Sequence, residues 1–224
     1  MKIRNLLVMA AFLMLFSCAE KRANPLIQNL DKSWIVTTDT LNIKMEVDIP
    51  SVIQADMYEN GLIPHPYKSN IESQLHWIPQ HEWEYSLDFK AEDYILREDV
   101  IELVFEGLDT YADVWMNGKK ILHADNMFRT YSYDVKDIIK ETNNIKIKFY
   151  PFDKERDSLI ETYPLRFPEK YAVMRKAAYQ NGWDWAPRYM NMGIWQPVYL
   201  KAWTRSTICS ASVITNEIHD DKAD

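Results

Sequence analysis

The sequence predicts an all-β fold, a jelly-roll β-sandwich with a few short helices. Short runs of period-two alternation recur along the chain, turn residues separate them, and no regular strand–helix alternation is present. Apolar residues make up 47% of the 224 residues, which is enough for a buried core. A chain of this length suits one all-β domain with short additional segments.

The clearest strand is predicted around Tyr85, because large apolar side chains from Trp83 to Phe89 alternate with charged or polar ones. Similar runs predict strands at 34–38, 43–49, 100–105, 111–116, 120–123, 130–135, 145–149 and 194–203. Asn117-Gly118 lies between two of these runs and predicts a two-residue hairpin turn, because both residues tolerate positive φ.

The other local predictions concern helices and a thiol. A short helix is expected at 51–58 with Ser51 as its N-cap, and another at 151–163. Cys209 lies in a β-branched run, so we expect it to be a buried thiol in a strand.

The N-terminus has the pattern of an export signal. Lys2 and Arg4 precede an apolar run at 6–16 that is short for a permanent membrane span. Leu15-Phe16-Ser17-Cys18 resembles a bacterial lipoprotein signal. The resemblance implies cleavage after residue 17, a lipid on Cys18, and attachment to the periplasmic or outer side of a bacterial membrane. An ordinary signal peptide is the alternative. With Cys18 lipidated, Cys209 has no internal disulfide partner.

Composition and motifs argue against several other functions. The net charge of −7 argues against a nucleic-acid partner, which requires basic patches. The sequence contains no P-loop, no glycine-rich dinucleotide turn and no serine nucleophile elbow, so no cofactor is expected. Nor is a metal site expected, because the histidines are too scattered; they are His65, His76, His81, His123 and His219.

The strongest chemical signal lies at 180–200. Trp183, Asp184 and Trp185 stand together there between glycine and proline residues, which indicates a loop. Aromatic faces beside a carboxylate suit a sugar, because indole packs on pyranose C–H groups and the carboxylate accepts bonds from vicinal hydroxyls. A tryptophan cluster is also common in protein cores, so burial is the competing interpretation.

Gly182-Trp183-Asp184-Trp185-Ala186-Pro187-Arg188 and the later Gly193-Ile194-Trp195-Gln196-Pro197-Val198 resemble the end of the N-terminal domain of β-mannosidases in glycoside hydrolase family 2. Further matches at 61–67, 103–118 and 125–129 extend the resemblance over most of 34–203. It implies a galactose-binding-like jelly roll whose loop reaches into the active site of a following (β/α)8 barrel.

The resemblance also implies roles for individual residues. Asp184 would bind hydroxyls of the terminal mannose of a mannoside or manno-oligosaccharide, with Trp183 and Trp185 beside it. Arg175, Lys176 and Arg188 would support the loop. The implied domain limits are a signal peptide at 1–17, a tether at 18–30, the jelly roll at 31–204, and the truncated start of an immunoglobulin-like β-sandwich domain at 205–224.

The chain departs from the family pattern at several positions. His65 stands where the family often has Asp, Gln196 replaces a usual basic residue, and Ala186 replaces a glycine of the tight turn, where alanine tolerates positive φ less well. In the family two glutamates about 5 Å apart perform retaining hydrolysis. Both lie on the barrel, and no carboxylate of these 224 residues matches them, so no catalytic residue is expected in this chain.

The leading hypothesis is therefore the N-terminal domain of an exported β-mannosidase-type glycosidase, whose catalytic barrel is its partner. Two alternatives remain open on sequence grounds. One is a stand-alone carbohydrate-binding module, and the other is a nonfunctional gene fragment.

Overall fold

The computed structural model describes residues 25–38, 40–68, 70–162, 169–219 and 222–223, so the predicted signal peptide and Cys18 lie outside the described residues. The strands, in chain order, are β1 (Leu26–Asn29), β2 (Trp34–Thr38), β3 (Ile43–Val47), β4 (Trp83–Lys90), β5 (Val100–Phe105), β6 (Ala112–Met116), β7 (Lys119–Ala124), β8 (Tyr131–Asp134), β9 (Thr142–Phe149), β10 (Val198–Trp203), β11 (Ile218–His219) and β12 (Lys222–Ala223). The helices are α1 (Ile53–Glu59), α2 (Glu72–Leu75), α3 (Asp93–Leu96) and α4 (Phe152–Thr162), with 3₁₀ helices at Ile78–Gln80, Lys170–Val173 and Ala178–Asn181.

Two antiparallel sheets form the body of the protein. One has six strands in the order β3-β2-β4-β9-β6-β7, and the other has four in the order β1-β10-β5-β8. Strands β11 and β12 form a separate short pair. The predicted β-sandwich with few short helices is confirmed.

The core lies between the sheets and follows the predicted alternation. In β4, Trp83, Tyr85 and Leu87 are buried, while the residues between them are partly exposed. Indole N–H groups in the core are satisfied by backbone: Trp34 Nε1 donates to Leu30 O at 2.7 Å, and Trp83 Nε1 donates to Ile78 O at 2.9 Å. Each fully buried large side chain contributes roughly 1.5–3 kcal/mol through the hydrophobic effect.

The predicted hairpin turn is confirmed. Asn117 and Gly118 have φ values of 52° and 81° and connect β6 to β7. The Asn117 amide also fixes the neighbouring strand, because its Oδ1 accepts a bond of 2.9 Å from Asn144 N.

The predicted N-cap at Ser51 is wrong. Helix α1 begins after Val52, with no side-chain cap. Backbone of a distant segment replaces the cap, since Ile53 N donates to Met192 O at 2.8 Å. The Ser51 hydroxyl instead donates to Asp56, inside the fold.

Two other local expectations need correction. Part of the predicted tether at 18–30 is strand, because Leu26–Asn29 pair with β10. Four residues at a sheet edge are too few to show a clear alternation.

Cys209 is exposed and lies in a stretch without regular structure at 206–217, since no strand of the described chain pairs with this run. Whether 205–224 begins a further domain stays a prediction.

Candidate functional site

The Trp-Asp-Trp segment forms a tight turn at the protein surface. Trp183 N donates to Ala186 O at 3.0 Å, and Ala186 N donates to Trp183 O at 3.2 Å, so Asp184 and Trp185 occupy the two central positions. Trp183 is 57% exposed and Trp185 is 77% exposed, so neither belongs to the core. Asp184 is exposed too and forms no hydrogen bond or ion pair with the described residues, which leaves its carboxylate available to a ligand.

The turn avoids the strain expected at Ala186, because that residue does not adopt positive φ. Gly182 does so instead, with a φ of 92°. A Cβ on Gly182 would also lie 3.3 Å from Arg188 Cβ. Glycine is thus needed where the chain enters the turn.

A buried ion pair holds the segments on both sides of the turn. Lys176 Nζ forms an ion pair with Asp109 Oδ1, and both side chains are buried. The same ammonium donates to Asn191 O at 2.6 Å. Burial lowers the pKa of Lys176, and the attraction of Asp109 opposes that shift.

Gln180 completes this network from the other oxygen of the same carboxylate. Its Nε2 donates to Asp109 Oδ2 at 3.0 Å, and its Oε1 accepts a bond of 2.9 Å from Asn191 N. Lys176 and Gln180, which precede the turn, are therefore joined to each other through Asp109 and are each bonded directly to Asn191, which follows it. Such a network holds the exposed turn in one geometry.

The other predicted supporting residues act through their backbone. Arg175 is exposed, has no ion pair among the described residues, and contributes its carbonyl, which accepts a bond of 3.0 Å from Met127 N. Arg188 is also exposed, and its N–H donates to Glu72 Oε1 at 2.8 Å. Of the three predicted supporting residues, Lys176 is the one that contacts the loop through its side chain in the described part of the chain.

A groove of about 690 Å³ lies beside the turn. Of the three predicted substrate-binding residues, Trp185 lines it, whereas Asp184 and Trp183 stand outside its wall. The groove is lined by Val52, Gln54, Ala55, Tyr58, His65, Pro66, Tyr67, Tyr179, Gln180, Trp185, Ala186, Pro187, Tyr189 and Asn191. None of these side chains is a carboxylate, an ammonium or a guanidinium.

Aromatic rings contact one another along one side of the groove. Tyr58 and His65 lie edge-to-face with their centroids 5.0 Å apart, and Tyr67 and Tyr189 do so at 5.5 Å. The Tyr189 hydroxyl donates to Pro66 O, 123 positions away in the chain. These tyrosines were not predicted as site residues, and the family-like segment at 61–67 contains only Tyr67 among them.

Other classes of site are not found in the described part of the chain. No group of three or more His, Cys, Asp or Glu side chains there is arranged to hold a metal ion. None of the helices in those same ranges has the length and apolar character needed to cross a bilayer.

Residues 29–196 match the family model described as glycosyl hydrolase 2 galactose-binding domain-like. Mus musculus β-mannosidase is 29% identical over 187 residues, which cover 78% of this chain and 21% of the mouse protein. Emericella nidulans β-mannosidase A is 31% identical over 182 residues, covering 76% of this chain and 19% of the fungal protein.

Solved structures agree with these relatives. The β-D-mannosidase of Dictyoglomus thermophilum has a TM-score of 0.81 and 31% identity, covering 87% of this chain and 24% of that one. A β-D-glucuronidase of the same organism has a TM-score of 0.56 and 15% identity, covering 91% of this chain and 32% of that one. At this identity the similarity shows a shared fold alone. This chain thus spans about a fifth to a quarter of the β-mannosidases it matches. It belongs to the galactose-binding-like N-terminal domains of glycoside hydrolase family 2.

Proposed function

We propose that this chain serves as the N-terminal domain of a β-mannosidase-type glycosidase and that its turn binds the terminal mannose. The observation that carries the proposal is the free carboxylate of Asp184, held between two exposed indoles on a firmly anchored turn. The carboxylate would accept bonds from two vicinal hydroxyls, and Trp183 or Trp185 would pack on the C–H face of the ring. The names of the β-mannosidase relatives support mannose as the sugar.

In this proposal the chain positions the substrate, and a barrel outside these 224 residues supplies the two glutamates of retaining hydrolysis. The small share of each β-mannosidase that the chain covers supports this division. Fixing the terminal ring helps catalysis because the glycosidic bond is then presented to the carboxylates in a reactive geometry.

The proposal is tested in a chimera in which this domain replaces its counterpart in the Dictyoglomus thermophilum β-mannosidase. Asp184→Asn should lower kcat/KM for an aryl β-mannoside roughly 10- to 100-fold, the loss expected when hydrogen bonds to a charged group are removed. Asp137→Asn, at an exposed aspartate outside the turn, is the matched control and should have no effect. An unchanged kcat/KM in Asp184→Asn would refute the proposal.

A stand-alone carbohydrate-binding module is the second candidate, favoured by a groove lined with the aromatic side chains of Tyr58, Tyr67 and Trp185. The kcat/KM of the chimera distinguishes the two candidates. If the domain is a stand-alone carbohydrate-binding module, it binds sugar independently of the barrel, and Asp184→Asn leaves the kcat/KM of the chimera unchanged.

A further inference from the structure

We propose that Glu72 is a positioning residue for the turn, which fixes the direction of the Asp184 carboxylate by holding the backbone where the chain leaves the turn. The inference rests on the proposed function and adds to it a residue that lies 116 positions before Arg188 in the chain. Glu72 does not touch the sugar in this assignment, because it acts through the placement of Asp184.

The exit of the turn is the first observation. The turn closes on itself through two backbone bonds, and Pro187, which follows it, has no N–H to donate. The next N–H, that of Arg188, donates to Glu72 Oε1 at 2.8 Å. Among the described residues, Glu72 therefore supplies the first bond after Asp184 that attaches the exit of the turn to another part of the protein.

The firm base under Glu72 is the second observation. Glu72 begins α2, and Leu75 at the other end of this helix is buried in the core. Ile78, just beyond the helix, is fully buried, and its carbonyl accepts the bond from Trp83 Nε1 of β4. The carboxylate that holds the exit is thus attached to the main sheet, and a displacement of the turn is resisted by the core.

The imidazole of His76 is the third observation. It lies one helical turn after Glu72, and its Nε2 is 3.5 Å from the same Oε1, which is longer than a good hydrogen bond. This Nε2 is buried and has no hydrogen-bond partner among the described residues. The carboxylate oxygen is therefore enclosed between the imidazole and Arg188 N, and its hydrogen bond is the one to the exit of the turn.

The position of the exit matters because Asp184 lies between it and the anchored entry. The network around Asp109 fixes Lys176 and Gln180 before the turn, whereas Glu72 fixes the backbone directly after it. A shift of the exit would move the Asp184 carboxylate and the sugar hydroxyls bonded to it. Displacement by about 1 Å from a reactive geometry can lower a rate roughly 100-fold.

The test measures kcat/KM for an aryl β-mannoside in the chimera with the Dictyoglomus thermophilum β-mannosidase. Glu72→Ala removes the acceptor and should lower kcat/KM roughly 3- to 10-fold, the range that corresponds to one hydrogen bond. Glu72→Gln keeps an acceptor oxygen and should recover most of this loss. Glu46→Ala is the matched control and should have no effect, since Glu46 is exposed on β3 and its side chain has no hydrogen bond or ion pair with the described residues.

A double-mutant cycle shows whether Glu72 acts through Asp184. In the Asp184→Asn background, Glu72→Ala should change kcat/KM less than roughly 2-fold, because the effects of residues that act as one unit are not additive. A merely structural role would give the same loss in both backgrounds. If Glu72→Ala lowers the melting temperature of the chimera, Glu72→Asp takes its place, because it keeps the carboxylate and only withdraws it from Arg188 N.

Three results would overturn the positioning role. They are a loss in Glu72→Ala no larger than that in Glu46→Ala, equal losses with and without Asp184→Asn, and a Glu72→Gln variant as impaired as Glu72→Ala. Failure of the proposed function is recognised separately, because Asp184→Asn alone then leaves the kcat/KM of the chimera unchanged, and the positioning role fails with it.

Discussion

At the residue scale, a few buried polar groups hold the exposed turn in place. The family resemblance predicted that Lys176 supports the loop, and its ammonium lies against Asp109. The sequence did not identify this partner, because Asp109 lies 67 positions away and no local pattern marks it. The roles of Gln180 and Asn191 could not be predicted from the sequence either, because a buried hydrogen-bond network depends on tertiary contacts.

Replacement of Lys176 by Met should leave Asp109 buried without its counter-ion. The free energy of unfolding should fall by about 3–5 kcal/mol, the loss typical of breaking one partner of a buried pair. Urea denaturation measures it, with Lys44→Met at an exposed strand position as the control. A loss no larger than that of the control would show that the ion pair does not anchor the loop.

Asp56 should make stability depend on pH. Burial raises its pKa to about 6, although hydrogen bonds donated by Ser51 and Tyr85 oppose the shift. Because the folded pKa lies above the unfolded value near 3.8, the protonated form favours folding, and this contribution is lost as pH rises from about 4 through 6.

The Asp56→Asn variant removes that titration. Measured by urea denaturation from pH 4 to 7.5, the wild type should lose on the order of 2–3 kcal/mol relative to the variant as pH rises. A difference between the two proteins that is constant over this range would contradict the assignment.

At the element scale, alternation and turn chemistry predicted most strands and the Asn117-Gly118 hairpin, because sheet faces and tight turns impose local requirements. The sequence failed where an element depends on distant backbone. Strand β1 exists because β10 lies beside it, and α1 begins without a side-chain cap because Met192 O accepts a bond from its first N–H.

Gly193 shows how tightly the segment after the turn packs against β4 and the residues that precede α1. Its φ is 143°, and a Cβ there would lie 3.0 Å from both Ser51 O and the Tyr85 hydroxyl. Gly193→Ala should lower the melting temperature far more than Gly61→Ala. Gly61 has a φ of 69°, in the left-handed region that alanine adopts at lower cost, and no atom lies within 4 Å of an added Cβ, so both the steric contact and the backbone strain are smaller there. Equal melting temperatures would show that neither effect is significant at Gly193.

At the scale of the whole molecule, the groove joins residues of 52–67 to residues of 179–191. Periodicity predicts elements but not which loops meet, so the sequence identified the turn through a family resemblance and missed the tyrosines across from it. The chain belongs to the galactose-binding-like domains of glycoside hydrolase family 2 and spans about a quarter of the solved β-mannosidase that it matches. In the proposed function, further domains would complete the sugar site.

We propose that the whole protein is exported and anchored through a lipid on Cys18, as its N-terminal pattern indicates. Expression in a bacterial host with labelled palmitate should label the wild type, and Cys18→Ser should remove the label and shift the protein to the aqueous phase of a detergent partition. Cys209→Ser serves as the control. An unlabelled wild type would favour an ordinary signal peptide.

A crystal structure of the chimera with mannose in its active site would show whether Asp184 binds the terminal mannose. We expect an Asp184 carboxylate oxygen about 2.5–2.7 Å from a mannose hydroxyl, as in charge-assisted O–H···O⁻ hydrogen bonds. A mannose bound in the barrel with the Asp184 carboxylate turned to solvent and out of contact would contradict it.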